Sequence, residues 1–210
     1  MKKITRKKHL EMQLQSVPPH PKPKVGLEQY TTPSIIASDV MWNANSLGDI
    51  SCKNIIDLGC GTGIFAIASA LLGANSAIGI DIDSDSINVA CEVKHKFDLD
   101  NVDFIVSDIS KFSKNIGVDT VFQNPPFGSQ KNAQSGQDLK FIQKAIDLNC
   151  DVLYSFHMAS TKDFLINYYE NNDLKISHIF SYNFPIPKIY EFHSKEKELV
   201  DVIVIRAIRK

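Results

Sequence analysis

The stretch Ile55-Ile56-Asp57-Leu58-Gly59-Cys60-Gly61-Thr62-Gly63 decides the fold. Its first four residues predict a buried strand, and the glycines after them predict a sharp turn into a helix. Glycine at such a turn lets the backbone approach a ligand closely, and the helix that follows presents free N–H groups. The stretch therefore predicts a nucleotide-like cofactor at one edge of an α/β sheet.

A carboxylate stands where a ribose would need one. Asp81 lies 22 residues after Gly59 and ends the next predicted strand, so it can accept hydrogen bonds from both ribose hydroxyls. A dinucleotide site would need Gly-x-Gly-x-x-Gly, yet position 64 is Ile. The spacing supports cofactor binding and departs from the dinucleotide pattern.

Length and composition describe one globular domain. The chain has 210 residues, 43% of them hydrophobic, and a net charge of −1. It contains no run of about 18 apolar residues and no secretory signal, so we expect a cytoplasmic protein without a membrane partner. The four cysteines lack Cys-x-x-Cys spacing, and the sequence predicts no metal site.

The charge is unevenly distributed along the chain. Residues 1–30 carry seven basic and two acidic side chains, residues 31–187 carry ten and eighteen, and residues 188–210 carry six and four. Basic ends that meet on one surface would attract a polyanion, whereas two solvated tails are the alternative. Residues 1–24 predict a short basic helix followed by a proline-rich connector, within a single domain of residues 1–210.

Apolar strands alternate with amphipathic helices from residue 53 onward. This order predicts parallel crossovers and a doubly wound, seven-stranded sheet with helices on both faces. The last two strand candidates, Leu174–Tyr182 and Leu199–Ile208, have no helix between them, so they should form a terminal antiparallel pair.

A second motif, Asn124-Pro125-Pro126-Phe127, follows the fourth predicted strand. Consecutive prolines cannot continue a central strand, so the chain must leave the sheet as a rigid elbow at its carboxyl edge. Carbonyl groups at the elbow can face a substrate, and Phe127 offers a flat face for stacking. A loop that merely ends the strand is the alternative interpretation.

These motifs resemble those of known enzymes. Asp-Leu-Gly-Cys-Gly-Thr-Gly together with Ile80-Asp81-Ile82-Asp83 resembles the class I S-adenosylmethionine-dependent methyltransferases, whose fold is Rossmann-like. The elbow resembles the (Asn/Asp)-Pro-Pro-(Phe/Tyr/Trp) motif of amino-methyltransferases. Leu27-Glu28-Gln29-Tyr30-Thr31-Thr32 is similar to a segment of the small rRNA adenine-N6 methyltransferases of archaea and eukaryotes, the methyltransferase-like five family. The resemblance runs from about residue 27 to 205.

The resemblance implies S-adenosylmethionine as cofactor and a set of site residues. The predicted cofactor-binding residues are Gln29, Thr32, Asp57, Gly59, Cys60, Gly61, Thr62, Asp81, Ile82 and Asp108. The predicted catalytic residues are Asn124, Pro125, Pro126 and Phe127. Thr31 replaces a usual proline, and position 62 is variable in the family. For Asp108, a helix N-cap is the alternative interpretation.

The family also implies two partners. One is small-subunit ribosomal RNA, and the other is a small zinc-containing activator protein that forms a heterodimer along a sheet edge; DNA is not expected. The predicted RNA contacts are Lys7, Lys8, Lys188, Tyr190, Phe192, His193 and Lys195, in which aromatics would stack on bases and lysines would meet phosphates. A strand or a loop anchored to the core is the alternative for the last five.

The sequence therefore predicts an enzyme that methylates the N6 amine of an adenosine in small-subunit ribosomal RNA. Guanine-N2 RNA methylation and protein glutamine-N5 methylation would use a similar elbow. A noncatalytic cofactor-binding protein is a further alternative, but a scaffold would not need the intact Asn-Pro-Pro-Phe group.

Overall fold

The computed structural model describes residues 4–24, 29–113, 117–127, 136–187 and 197–210. A seven-stranded sheet has the order β3-β2-β1-β4-β5-β7-β6. Strand β7 pairs antiparallel with both of its neighbours, and the other pairs are parallel. The strands are β1 (Asn54–Leu58), β2 (Ser76–Asp81), β3 (Val102–Val106), β4 (Thr120–Gln123), β5 (Val152–Met158), β6 (Leu174–Pro187) and β7 (Lys197–Arg209).

Helices cover both faces of this sheet. They are α1 (Lys7–Leu14), α2 (Ser34–Ser46), α3 (Ile64–Leu71), α4 (Ser84–Lys96), α5 (Gln137–Asp147) and α6 (Lys162–Asn171). Side chains of α1 to α4 pack with Phe122 and Tyr154 on one face, and those of α5 and α6 pack with Val121 and Leu153 on the other. Neighbouring strand residues thus point to opposite cores, as the two-residue period of a strand requires. Within the described residues, no helix is long and apolar enough to cross a membrane.

The predicted fold class is confirmed, with one difference at the end of the sheet. Strand β6 extends to Pro187, five residues beyond the predicted boundary at Tyr182, and it includes Pro185. Proline lacks an N–H and usually ends a central strand. Because β6 is the edge strand, prolines can be accommodated there, and the hairpin continues past the point where the sequence pattern stops.

Helix α1 is anchored to the core. Leu10 and Leu14 are fully buried, and Val17 follows them into the same cluster. The Nζ of Lys7 lies 2.6 Å from the Oδ1 of Asp39 on α2. The N-terminal segment is therefore packed against α2 and α3, which fixes the start of the connector that follows.

An ion pair joins Arg206 on β7 to Asp49 in the loop before β1, at the end of the sheet opposite to the elbow. Arg206 donates from Nε and Nη2 to the two carboxylate oxygens of Asp49, at 2.7 and 2.8 Å. The hydroxyl of Tyr154 donates to the same carboxylate at 2.6 Å. Burial and this hydrogen bond raise the pKa of Tyr154. The pair fixes the register of β7 beside β5.

Candidate active site

The glycine loop turns sharply between β1 and α3. Gly59 and Gly61 have φ values of +66° and +54°, a region that residues with a Cβ rarely adopt. A Cβ on Gly59 would lie 2.9 Å from a ring carbon of Phe141, and one on Gly61 would lie 2.8 Å from Cε1 of His20. Both conformation and space therefore require glycine at these positions.

Asp81 holds the glycine loop against the end of β2. Its Oδ2 accepts the N–H of Gly61 at 2.8 Å, and its Oδ1 accepts the N–H of Asp83 at 2.8 Å. Each carboxylate oxygen can accept more than one hydrogen bond, so these contacts leave acceptor capacity for ribose hydroxyls. The carboxylate of Asp81 therefore lies beside the glycine loop, at the carboxyl end of β2.

Asp57 lies beneath the loop, at the N-terminus of α3. Its Oδ2 accepts the N–H of Ala66 at 3.0 Å, while its buried Oδ1 has no hydrogen-bond partner among the described residues. Burial raises the pKa of Asp57 to about 8, and the nearby Asp81 carboxylate adds to the effect. Such a group favours a cationic ligand, because a nearby positive charge would compensate its ionisation.

The Asn-Pro-Pro-Phe elbow begins where β4 ends, next to the glycine loop. The register pairs Gln123, the last residue of β4, with Leu58, the last residue of β1. The amide nitrogen of Asn124 donates to Oγ1 of Thr32 at 3.0 Å. Its carbonyl oxygen Oδ1 is buried and has no hydrogen-bond partner among the described residues. This oxygen is therefore free to accept a hydrogen bond from a substrate.

Phe127 is packed in an aromatic cluster beside the elbow. Its ring is stacked with Tyr30, with centroids 6.3 Å apart and planes 19° apart. The ring of Phe184 on β6 meets Phe127 edge-on at 6.1 Å. These aromatic neighbours restrict the orientation of the Phe127 ring beside the elbow.

The remaining predicted cofactor residues have diverse surroundings. Cys60 and Thr62 are buried, whereas the side chain of Ile82 is 55% exposed. Asp108 caps the short 3-10 helix Ile109–Lys111, accepting the N–H of Ser110 at 2.8 Å. The alternative interpretation of Asp108 as an N-cap thus describes its contact in the structure, and the Ser110 hydroxyl also hydrogen-bonds the Asp108 carboxylate.

Gln29 makes two hydrogen bonds within the chain. Its Oε1 accepts the N–H of Lys24 at 2.7 Å, and its Nε2 donates to Oδ2 of Asp83 at 2.7 Å. Both ends of the amide are therefore engaged by the chain itself. Gln29 joins the connector to the start of α4.

The predicted RNA contacts are only partly described. Lys8 is exposed, but the ammonium group of Lys7 is paired with Asp39. The remaining predicted contacts, Lys188, Tyr190, Phe192, His193 and Lys195, lie outside the described residues.

Three residues of the site were not singled out from the sequence. His20 lies against Gly61, Phe141 lies against Gly59, and Asp83 collects hydrogen bonds from the connector. Asp83 had a local signal, since it follows Ile-Asp-Ile and precedes the serine-rich start of a helix. His20 and Phe141 come from distant segments, and no local pattern links them to the glycine loop.

The fold and the groups at its carboxyl edge define a class I S-adenosylmethionine-dependent methyltransferase. The family model described as a methyltransferase domain matches residues 51–185. The chain belongs to the METTL5 family: it is 35% identical to the rRNA N6-adenosine-methyltransferase METTL5 of Danio rerio over 204 residues, which cover 95% of this chain and 97% of that protein.

Other similar proteins agree with this family. The rRNA N6-adenosine-methyltransferase Mettl5 of Drosophila melanogaster is 35% identical, with 92% of each chain covered. A crystal structure from Pyrococcus horikoshii, of a protein described as a candidate RNA methyltransferase, is 35% identical, covers 98% of both chains and has a TM-score of 0.88.

The residues present fit the cofactor of this class, S-adenosylmethionine. That molecule carries an ammonium group, a sulfonium and ribose hydroxyls. The site offers the carboxylate of Asp81 and Oδ1 of Asp57, which no other described residue hydrogen-bonds. Gly59 and Gly61 have no Cβ, so the loop backbone can lie close to a ligand that is bound by these carboxylates. The acceptors and the local negative charge therefore match the donors and the positive charge of the cofactor.

Proposed function

We propose that this enzyme transfers a methyl group to the N6 amine of an adenosine in small-subunit ribosomal RNA. The observation that carries the proposal is the buried carbonyl oxygen of Asn124, which has no partner in the described part of the chain. Adenosine in ribosomal RNA is proposed as the substrate because the METTL5 relatives are named rRNA N6-adenosine-methyltransferases.

The chemistry of an adenine amine explains why such an oxygen is useful. The nitrogen lone pair is delocalised into the ring, so the amine is a poor nucleophile. Oδ1 of Asn124 and the backbone carbonyl of Pro125 accept hydrogen bonds from the two amine hydrogens. These bonds favour a pyramidal nitrogen whose lone pair is no longer delocalised into the ring and is aimed at the methyl group. When bound, S-adenosylmethionine supplies a methyl group on a positively charged sulfur.

The protein contributes mainly orientation. Thr32 fixes the amide of Asn124. The two prolines stiffen the elbow, and the proposed role of Phe127 is to stack on the base. Good orientation of two reactants contributes about 7–11 kcal/mol to lowering a barrier. A strong general base is not required, because the methylated amine can lose its proton after transfer.

For the cofactor site, we propose that Asp57 binds the ammonium group and Asp81 binds the ribose hydroxyls. Asp108 is proposed near the adenine amino group, where its carboxylate would accept a further hydrogen bond. Gly59, Cys60, Gly61 and Thr62 would line the cofactor through their backbone, since the side chains of Cys60 and Thr62 are buried.

The RNA must present an unstacked nucleotide. An adenosine inside a helix cannot reach a buried oxygen, and the cost of leaving the stack is smallest for an unpaired base. Lys8 and the segment 188–195 are proposed to contact the RNA around that base. Because phosphate contacts position the substrate without reacting, these residues should affect RNA affinity more than turnover.

The decisive experiment compares Asn124→Ala with Asn171→Ala. Asn171 is an exposed residue at the end of α6 and serves as a matched control. With labelled cofactor and small-subunit ribosomal RNA, the unchanged enzyme and the control should yield N6-methyladenosine. Asn124→Ala should lose turnover while it retains cofactor affinity in a calorimetric titration.

The same experiment tests the two alternative substrates. Mass spectrometry of the digested RNA would show N2-methylguanosine if guanine were the target, and analysis of protein substrates would show N5-methylglutamine. If either product appeared without N6-methyladenosine, adenosine would not be the substrate. The proposed role of Asn124 as a hydrogen-bond acceptor would still hold.

We further propose that strand β3 binds the small zinc-containing activator protein by strand addition. Among the residues that the structure describes, β3 is an edge strand whose one partner is β2. Ile105 is 37% exposed and Val106 is 52% exposed, and the nearby side chain of Ile82 is exposed as well. An edge strand with apolar exposed side chains offers backbone hydrogen bonds and buried area to a partner.

Co-expression with the activator should raise solubility and thermal stability. Val106→Pro should remove this gain, because proline lacks the N–H and disturbs an added strand, whereas Val106→Thr, which keeps the N–H at the same exposed position, should retain it. A monodisperse, fully active monomer that gains nothing from the activator would contradict the heterodimer.

A further inference from the structure

The proline-rich connector between α1 and the core passes over the glycine loop. The imidazole of His20 lies so close to Gly61 that a Cβ there would be 2.8 Å from its Cε1 and 2.9 Å from its Nε2. His20 therefore lies directly against the glycine loop, beside the proposed cofactor site.

His20 is held in this position from below. Its Nδ1 lies 2.8 Å from the hydroxyl of Ser86, and that hydroxyl donates to Oδ2 of Asp83 at 3.1 Å. Because the hydroxyl has a single hydrogen, Nδ1 of His20 must be the donor toward Ser86. The Nε2 atom then carries the lone pair and faces the glycine loop as a hydrogen-bond acceptor.

Asp83 fastens the connector at a second point. Its buried carboxylate accepts from Nζ of Lys24 at 2.6 Å and from Nε2 of Gln29 at 2.7 Å, in addition to Ser86 and the N–H of Asp85. Burial alone would raise the pKa of Asp83, but the hydrogen bonds outweigh burial and lower the pKa to about 2. A fully ionised carboxylate with donors from both Lys24 and Gln29 is a strong attachment point.

We infer that residues 18–24 form a strap that closes over the cofactor site, with Asp83 as its latch and His20 as the group that contacts the cofactor. Entry and release of the cofactor then require Lys24 and Gln29 to leave Asp83, so that His20 can move away from Gly61. This inference concerns cofactor exchange and does not depend on which nucleotide is methylated.

Lys24 is the part of the latch that can be changed without disturbing the core. Its side chain is half exposed, while Asp83 keeps its other donors when Lys24 is replaced. Lys24→Met retains the aliphatic stem and removes the ammonium group. Lys22→Met is the matched control, since Lys22 is exposed and makes no hydrogen bond or ion pair within the described ranges.

The test measures the rates of association and release of S-adenosylhomocysteine on the immobilised full chain by surface plasmon resonance. This product carries no net charge, so loss of a lysine charge does not by itself alter long-range attraction. Lys24→Met should increase both rates by about three-fold to thirty-fold, because the strap opens more often. Lys22→Met should keep both rates within two-fold of the unchanged chain.

His20→Ala provides the second arm. S-adenosylhomocysteine should be released faster from this variant, because the contact of the His20 imidazole beside Gly61 is lost. If S-adenosylhomocysteine left the Lys24→Met variant faster but associated at an unchanged rate, Lys24 would be an ordinary ligand contact and the strap would be overturned. Equal effects of the Lys22→Met and Lys24→Met substitutions on the two rates would also overturn it. Unchanged rates in both His20→Ala and Lys24→Met would overturn the whole inference.

Discussion

Asn124 and Thr32 form a hydrogen bond of 3.0 Å between residues 92 positions apart in the chain. The bond uses a donor of the Asn124 amide, while the buried carbonyl oxygen of that amide has no partner in the part of the chain that the structure describes. Thr32 follows directly after the segment that holds Gln29 and Tyr30. One short segment therefore contacts the latch of the cofactor site, the aromatic cluster and the elbow.

The first prediction concerns Thr32. Thr32→Val keeps the shape but removes the acceptor for the Asn124 amide, so the amide loses its fixed orientation. Loss of such a bond costs about 1–3 kcal/mol, and we expect kcat to fall by at least about ten-fold. Thr32→Ser should retain most of the activity, and Thr31→Val is the control. Weakened cofactor binding with unchanged kcat would show that Thr32 serves the cofactor instead.

The second prediction concerns pH and Asp57. Its pKa is about 8 in the folded, cofactor-free chain and about 4 in an unfolded chain, so between these values the folded chain holds a proton that the unfolded chain has lost. The free energy of unfolding should therefore decrease as pH rises through this window. Asp57→Asn should remove this contribution.

Urea unfolding at pH 5 and pH 8 measures the effect. Relative to the unchanged chain, Asp57→Asn should gain stability between the two pH values, by up to about 1.4 kcal/mol per pH unit. Asp100→Asn, at an exposed aspartate, should gain nothing. Parallel pH dependences for Asp57→Asn and the unchanged chain would refute the raised pKa.

The third prediction concerns Phe127. Phe127→Leu keeps an apolar side chain but removes the aromatic face, so stacking worth about 1–3 kcal/mol is lost from productive RNA binding. The measurement is kcat/KM for RNA, with cofactor affinity followed separately. Phe164→Leu, at a phenylalanine that is 56% exposed on α6, is the control. Equal kcat/KM values for the two variants would exclude Phe127 as the stacking residue.

The fourth prediction separates the two roles of α1. Leu10 is fully buried, so Leu10→Ala should lower the free energy of unfolding by about 2–5 kcal/mol, whereas Met12→Ala at an exposed position should have little effect. Lys8→Ala should instead reduce the salt dependence of RNA binding without changing stability. If Leu10→Ala were as stable as Met12→Ala, α1 would not be anchored to the core in solution.

Local patterns were sufficient to predict most of the fold. Helix α4 (Ser84–Lys96) and strand β3 (Val102–Val106) illustrate the predicted alternation of helices and strands after residue 53, because each has an apolar pattern bounded by polar residues. The predicted end of β6 at Tyr182 was wrong. Prolines such as Pro185 and Pro187 normally end a strand, and they are accommodated here because β6 lies at the sheet edge.

The site was predictable where function depends on a local motif. The glycine loop, Asp81 and the elbow are contiguous signals, and parallel strands bring their ends to one edge of the sheet. The contacts of Asn124 with Thr32 and of His20 with Gly61 depend on how the N-terminal segment crosses that edge. Such long-range packing leaves no periodic trace in the sequence.

The inner position of β7 has a consequence for synthesis on the ribosome. β7 is made after the other six strands, yet it lies between β5 and β6. Until its 13 residues emerge, β5 has an unpaired edge and Asp49 lacks its partner Arg206. A nascent chain that already contains the glycine loop and Asn124 therefore exposes a strand edge open to mispairing, and the last strand to be translated closes it.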